Sequence, residues 1–426
     1  MTQLRPQSEH RWIASPSHRW IASSTHRQWL LNEAQRLLRF FAERSIDPSG
    51  GFYTLTVVGT PRDCSEKRLV STARMVHCYA LGVLLGFPDA VRLVHHGLEA
   101  LCKLFMDRQH GGFYWSVDSD GSVIDGTKQA YGHAFALLAG SSAYYAGFAD
   151  ALEVLEAADE VLESRFWDDG KSWYREEFAP DWATGSEYRG GNSNMHLVEA
   201  LRAAFDVTQD QRHLSRANSV ASKLIDNVAR HYGWRPVEHF REDGEVDEYY
   251  NRETPRHTYR PYGVVVGHEC EWARLLLQLG GPRRANSWHL DAAEALFLTA
   301  MQAWDEERGG LFYTTDLNGN VLDRDHYQWP IAEGIGAAAA LLLTTGRAVY
   351  EKWYRNLWCF AADHLFDRQD GGWFNLLDEA LRPLERPGVA EGKPDLYHSL
   401  QCCLVPLLDP ERSVAAGVGR LCAAEV

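Results

Sequence analysis

The chain has 426 residues, 45% hydrophobic and 12% aromatic, enough for a large core in one domain or several. Its 43 basic and 58 acidic residues leave a net charge of −15, which argues against nucleic acid and anionic membrane as partners. No run of 18 apolar residues occurs, the longest lying near Ile335–Leu343, so no segment reads as a membrane span.

The first 24 residues hold a duplication: His10-Arg11-Trp12-Ile13-Ala14-Ser15 recurs as His18–Ser23. A leader outside the fold is expected there, with one catalytic domain over 25–426. Thr25 reads as the cap of a first helix, with Trp29, Leu30, Ala34, Leu37, Leu38 and Phe41 at helical spacing. Asp47-Pro48-Ser49-Gly50-Gly51 stops it.

From here one pattern repeats six times. A Gly-rich, mostly aromatic loop leads into an apolar helix. The loops are Gly50-Gly51-Phe52-Tyr53, Gly111-Gly112-Phe113-Tyr114, Asp169-Gly170-Lys171, Tyr232-Gly233-Trp234, Gly309-Gly310-Leu311-Phe312 and Gly371-Gly372-Trp373-Phe374, spaced by 61, 58, 63, 77 and 62 residues. That period exceeds the roughly 20–50 residues of common solenoid repeats and fits a helical hairpin. Outer helices with mixed faces are expected over 89–107, 149–164, 211–230, 287–304 and 347–366. Inner helices almost free of charge are expected over 70–86, 129–146, 193–207, 266–279, 329–345 and 395–408. A helix apolar nearly all round is buried on several sides. Twelve alternating helices read as an all-α (α/α)6 barrel, its inner helices walling a cup and short hairpins at its mouth. The fourth unit is longer, and its excess, Glu238–Tyr262, reads as a flap over the cup.

A polar residue follows each loop: His77, His133, His196, His268, Glu333 and His398. All six are expected to converge on the barrel axis. Glu271, one turn after His268, is expected to hold that imidazole in one tautomer. Arg74, Asn192, Arg260, Trp329 and Glu333 fall at the same level. With Tyr131 they would bind a polyhydroxylated ring, aromatics on its CH faces and polar groups on its hydroxyls. No metal motif such as His-Glu-x-x-His occurs and no nucleotide loop, so neither cofactor is expected. The eight cysteines, among them Cys78, Cys102, Cys359 and the adjacent Cys402-Cys403, show no framework spacing, which suits reduced thiols in the cytoplasm.

Six strings in order carry a family resemblance: Ser71–His77, Lys128–His133, Asn192–His196, Arg260–Gly263 with Gly267–Arg274, Trp329–Glu333 and Lys393–His398. They resemble the N-acylglucosamine 2-epimerase superfamily from residue 26 to about 410, and most closely its branch of D-mannose and sulfoquinovose isomerases. The resemblance implies an (α/α)6 barrel without metal or nucleotide, acting on a monosaccharide. It implies His268 and His398 as acid/base groups, and Arg74, Tyr131, Asn192, His196, Glu271, Trp329 and Glu333 around the sugar. The chemistry implied is proton transfer beside a carbonyl after ring opening, giving mannose–fructose isomerisation or 2-epimerisation. A glycosidase recruiting Glu271 and Glu333 and a non-catalytic sugar-binding protein are the rival readings. Monomer and homodimer remain open.

Overall fold

The computed structural model describes residues 19–62, 66–280 and 288–423. Six helical hairpins run around one axis. Helices α1 (Ser24–Arg44), α3 (Ala90–Ala100), α5 (Ala151–Val161), α7 (Gln211–Ala221), α9 (Trp288–Ala300) and α11 (Ala348–Phe360) lie outside. Helices α2 (Leu69–Leu84), α4 (Ala130–Tyr145), α6 (Gly191–Thr208), α8 (Val266–Gly280), α10 (Gln328–Thr345) and α12 (Leu396–Leu404) lie inside. Each inner helix packs on the next, and α12 returns to α2, so the ring closes. Burial follows the expected division: α8 is buried along its whole length, whereas α7 buries only His213, Ala217, Val220 and Ala221.

The mouth is stitched by backbone pairing between successive units. Lys67–Arg68, which leads into α2, pairs antiparallel with Ser116–Val117 of the next unit. Lys128–Gln129 pairs with Glu177–Phe178, Tyr188–Gly190 with His239–Arg241, Val264–Val265 with Thr314–Thr315, and His326–Tyr327 with Leu376–Leu377. At the last junction, Lys393 N–H donates to Leu55 O at 3.1 Å. These links tie the starts of the inner helices together, so side chains in their first two turns share one cup.

Two features were not legible as elements. Helix α13 (Val414–Ala423) packs on α2, α4, α6 and α12 and closes the end opposite the mouth. The leader also differs from expectation. Residues 1–18 lie outside the described residues, but Arg19–Ser23 of the second copy of the duplicated string is built into the fold. Trp20 and Ile21 are buried, and Trp20 N–H donates to Glu351 Oε1 at 2.7 Å. Ser23, not Thr25, caps α1, its hydroxyl accepting from His26 N–H. The string docks because Trp20 and Ile21 bury against α1 and α11.

The Gly loops carry a buried ion pair. In the second unit Asp107 accepts the N–H groups of Gln109 and His110 and the ammonium of Lys128 at 2.7 Å. Lys67–Asp47, Arg189–Asp168 and Lys393–Asp367 repeat the device. Side-chain exposure at Lys128 and Asp107 is 0% and 1%. Taking one partner from such a pair strands a buried charge, at about 3–5 kcal/mol. Lys128→Ala is therefore expected to lower unfolding free energy in urea by about 3 kcal/mol, while Lys128→Met with Asp107→Leu recovers most of it. A single-variant loss below about 1 kcal/mol would contradict this assignment.

Candidate active site

Inner helices start at the mouth, so their first turns face the cup and their second turns lie beneath. The first turns supply Ser71, Tyr131, Asn192, His268, Trp329 and His398. The second turns supply Arg74, His196, Glu271 and Glu333, three or four residues later on the same faces. All of these except Glu333 line a cavity of about 230 Å³. Thr258, Tyr259 and Pro261 from the long loop of the fourth unit also line it, so that loop does cover the cup. Across the mouth, Thr258 Oγ1 donates to Gly388 O at 3.0 Å.

His268 and His398 flank one indole. Their ring centroids lie 5.1 Å and 5.5 Å from that of Trp329. Gly267 makes this possible, because a Cβ there would stand 2.2 Å from the Trp329 ring. Each imidazole is backed by a buried carboxylate: His268 Nδ1 lies 2.8 Å from Glu238 Oε1, and His398 Nδ1 lies 2.8 Å from Glu333 Oε1. A carboxylate only accepts, so in the neutral ring each Nδ1 carries the hydrogen and each Nε2 keeps the lone pair. Burial lowers the pKa of His398, with Glu333 pulling the other way. That keeps the ring neutral and basic near pH 7.

This corrects the expected brace. Glu271 does not reach His268; Glu238 does. Glu271 stands 3.6 Å from His196 Nδ1 instead. Glu238 falls inside the long insertion read as a flap, which was the only signal for it. Two of the six axial residues are corrected as well. His133 is a loop lock: Nδ1 donates to Gln129 O at 2.7 Å and Nε2 accepts Phe113 N–H at 3.0 Å. It fills the space under Gly112, where a Cβ would lie 2.6 Å from its Nε2. His77 sits a turn deeper than Arg74, bonded to Ser142 Oγ at 2.7 Å. Loop-to-histidine counts of 21 to 35 residues span several helical turns, so they do not mark one level.

The remaining residues are placed as follows. Arg74 donates to Asp395 Oδ2 at 3.0 Å and to Tyr131 OH at 2.9 Å, and its guanidinium lies over Phe135 and Tyr397. Asp395 also caps α12 by accepting Tyr397 N–H, so one carboxylate orients both Arg74 and the helix that carries His398. Asn192 donates to Tyr259 O at 3.1 Å and leaves Oδ1 without a partner beside the cavity. Arg260 is displaced from the cup. It pairs with Glu177 at 3.0 Å and lines an adjoining pocket with Trp115 and Glu176.

Beneath the cup, Arg274 serves three carboxylates. Its Nε donates to Glu333 at 3.1 Å, and Nη1 and Nη2 approach Glu199 at 3.4 Å and Glu271 at 3.6 Å. Burial pulls the Glu333 carboxyl up, but Arg274 and His398 outweigh it and hold it below the usual range. Among the described residues, His196, Glu199 and Glu271 have ligand atoms within 4.8 Å of one another, a spacing that could hold a metal ion. Arg274 already places a positive charge against that group.

Fold and site together define a closed (α/α)6 barrel with two histidine–carboxylate dyads facing one cup. The chain belongs to the N-acylglucosamine 2-epimerase (GlcNAc 2-epimerase) family, whose model matches residues 50–402. It is 41% identical over 393 residues to a D-mannose isomerase of Thermobifida fusca, covering 92% of this chain and 96% of that one. A D-mannose isomerase of Pseudomonas cannabina pv. alisalensis is 38% identical, covering 96% and 97%. A crystal structure of D-mannose isomerase superposes with a TM-score of 0.83 at 33% identity, covering 92% of this chain and 99% of that one. No helix among the described residues is long and apolar enough to cross a membrane.

Proposed function

We propose that this protein interconverts D-mannose and D-fructose by acid/base proton transfer, without metal or nucleotide. The observation that carries the reading is the pair of carboxylate-backed imidazoles either side of Trp329. The high identity to proteins named D-mannose isomerase over nearly the whole chain supports it.

The chemistry follows from the free Nε2 atoms. One imidazole and its partner across the cup open the pyranose, moving a proton from O1 to the ring oxygen. A base then takes the C2 proton. The C–H electrons form the C1–C2 double bond, and O1 gains a proton to give a cis-enediol. Loss of the O2 proton and return of a proton to C1 yields the ketose. Histidine near neutrality suits these transfers, and Arg74 offsets charge building on the enediolate oxygens. Tyr131, Asn192, His196 and Trp329 hold the sugar. His398 is assigned the C1–C2 proton and His268 the ring opening. The enzyme is placed in the cytoplasm, as monomer or homodimer.

Incubation with mannose, fructose or glucose alone, followed by sugar chromatography, tests this directly. Mannose and fructose are expected to interconvert, and exhaustive chelation is expected to leave the rate unchanged. Loss on chelation with recovery on adding a divalent ion would overturn the metal-free reading. Glucose formed from mannose without fructose accumulating would make the enzyme a 2-epimerase.

A further inference from the structure

Glu271 is the anomaly of the cup. Its residue is fully buried at 0% exposure, yet neither carboxylate oxygen accepts a hydrogen bond. Its neighbours are all committed. Arg274 donates to Glu333 and Glu199, and its Nη2 stops 3.6 Å from Glu271 Oε1, beyond hydrogen-bond reach. Glu333 also accepts from His398 Nδ1–H, and Glu199 accepts from the Tyr397 hydroxyl. One guanidinium thus faces three carboxylates. An ionised carboxylate with no donor in such a place is costly, whereas a carboxylic acid is itself a donor. The acceptor is at hand: His196 Nδ1 is also buried without a hydrogen bond, 3.6 Å from Glu271 Oε1 and 3.8 Å from Glu199 Oε2, an oxygen that already accepts from Tyr397. A shift of a few tenths of an ångström closes that bond.

We infer that Glu271 is a neutral acid whose O–H donates a hydrogen bond to His196 Nδ1, fixing His196 in the Nε2–H tautomer so that it points a hydrogen-bond donor into the sugar cup. Burial, with the charges of Glu333 and Glu199 behind it, moves the Glu271 carboxyl well above its usual range. Burial holds His196 down at about 4, so this ring is neutral. His196 is therefore wired in the opposite sense to His268 and His398. Their partners accept from Nδ1 and leave a base facing the cup; its partner donates to Nδ1 and leaves a donor there. The role rests on reading the cup as a sugar-isomerase site, and it makes Glu271 a positioning residue rather than a group that exchanges protons with substrate.

The conservative variant distinguishes the two protonation states. The Glu271→Gln amide keeps a donor for His196 Nδ1 and is neutral, so it mimics the acid. Glu271→Gln is expected to keep kcat/KM for mannose at least about tenfold above that of Glu271→Ala. Glu271→Ala leaves Nδ1 unsatisfied and is expected to lose about 10- to 100-fold. The groups facing Glu271 are Glu199 and His196 on α6, Arg274 on α8, Glu333 on α10, Arg74 on α2, Tyr131 on α4 and Tyr397 on α12; all remain in Glu271→Gln. Its pH–rate profile is thus expected to superimpose on that of the parent enzyme. Ring-15N NMR of His196 in the resting protein gives a second readout that does not depend on the substrate. It is expected to report the Nε2–H tautomer in the parent and in Glu271→Gln. A Gln variant as impaired as the Ala variant, or an Nδ1–H signal in the parent, would overturn the inference whatever the sugar.

Discussion

His268→Asn and His398→Asn are each expected to lower kcat by at least about 10²-fold, the low end for general acid–base catalysis. Both are needed because the two rings flank Trp329, and ring opening and C2 proton transfer each call for a positioned acid and base. Folding is expected to persist, since Asn is smaller and polar. Circular dichroism and thermal unfolding check that point. The division of labour has its own measurement. Substrate held in open-chain form bypasses ring opening, and exchange of its C2 proton with solvent deuterium isolates the later step. Exchange is expected to fail in His398→Asn and to continue in His268→Asn. Exchange at the parent rate in His398→Asn, with loss in His268→Asn, would reverse the assignment.

The fold was legible because the barrel writes its period into the chain. The paired glycines recur because the loop needs them: Gly51, Gly112, Gly310 and Gly372 all hold positive φ, a conformation costly for other residues. The inner helices show as stretches almost free of charge because they are enclosed on several sides. Depth along those helices was not legible. His77, His133 and His196 look alike in sequence, yet one is deep, one locks a loop and one lines the cup. The difference is set by where each helix starts relative to its loop, and the cross-strand pairing at the mouth decides that. Glu238 was hidden for another reason. It reaches His268 from a different segment, 30 residues earlier, so no helical spacing connects the two. The nearer Glu271, at the right spacing on the same helix, is the false partner. Local geometry places it one turn below His268, and the packing of α6 against α8 turns it toward His196.

Glu333→Gln and Glu238→Gln are expected to be far more damaging than Glu271→Gln. At Glu333 the carboxylate can only accept, so His398 must carry its hydrogen on Nδ1 and keep Nε2 as a base. A glutamine can instead turn its amide N–H toward Nδ1. The ring then holds its hydrogen on Nε2 and has no lone pair for the substrate. Replacing the carboxylate behind a catalytic imidazole by an amide costs up to about 10⁴ in kcat where this wrong tautomer results. A fall of about 10²- to 10⁴-fold is expected for either variant, with KM changing much less, because the sugar contacts stay in place. The pH dependence of Glu333→Gln supplies an independent check. In the parent, burial lowers the His398 pKa and Glu333 pulls it back up. Activity needs the neutral ring, so it is present above that pKa and lost as pH falls through it. Removing the upward pull lowers the pKa further, while Arg74, which also faces His398, continues to press it down. The residual activity of Glu333→Gln is therefore expected to persist to lower pH than that of the parent. An acid limb that stays in place, or moves to higher pH, would show that His398 is not the base whose ionisation the rate reports. Equal tolerance of Gln at all three glutamates would mean that none of them sets a tautomer.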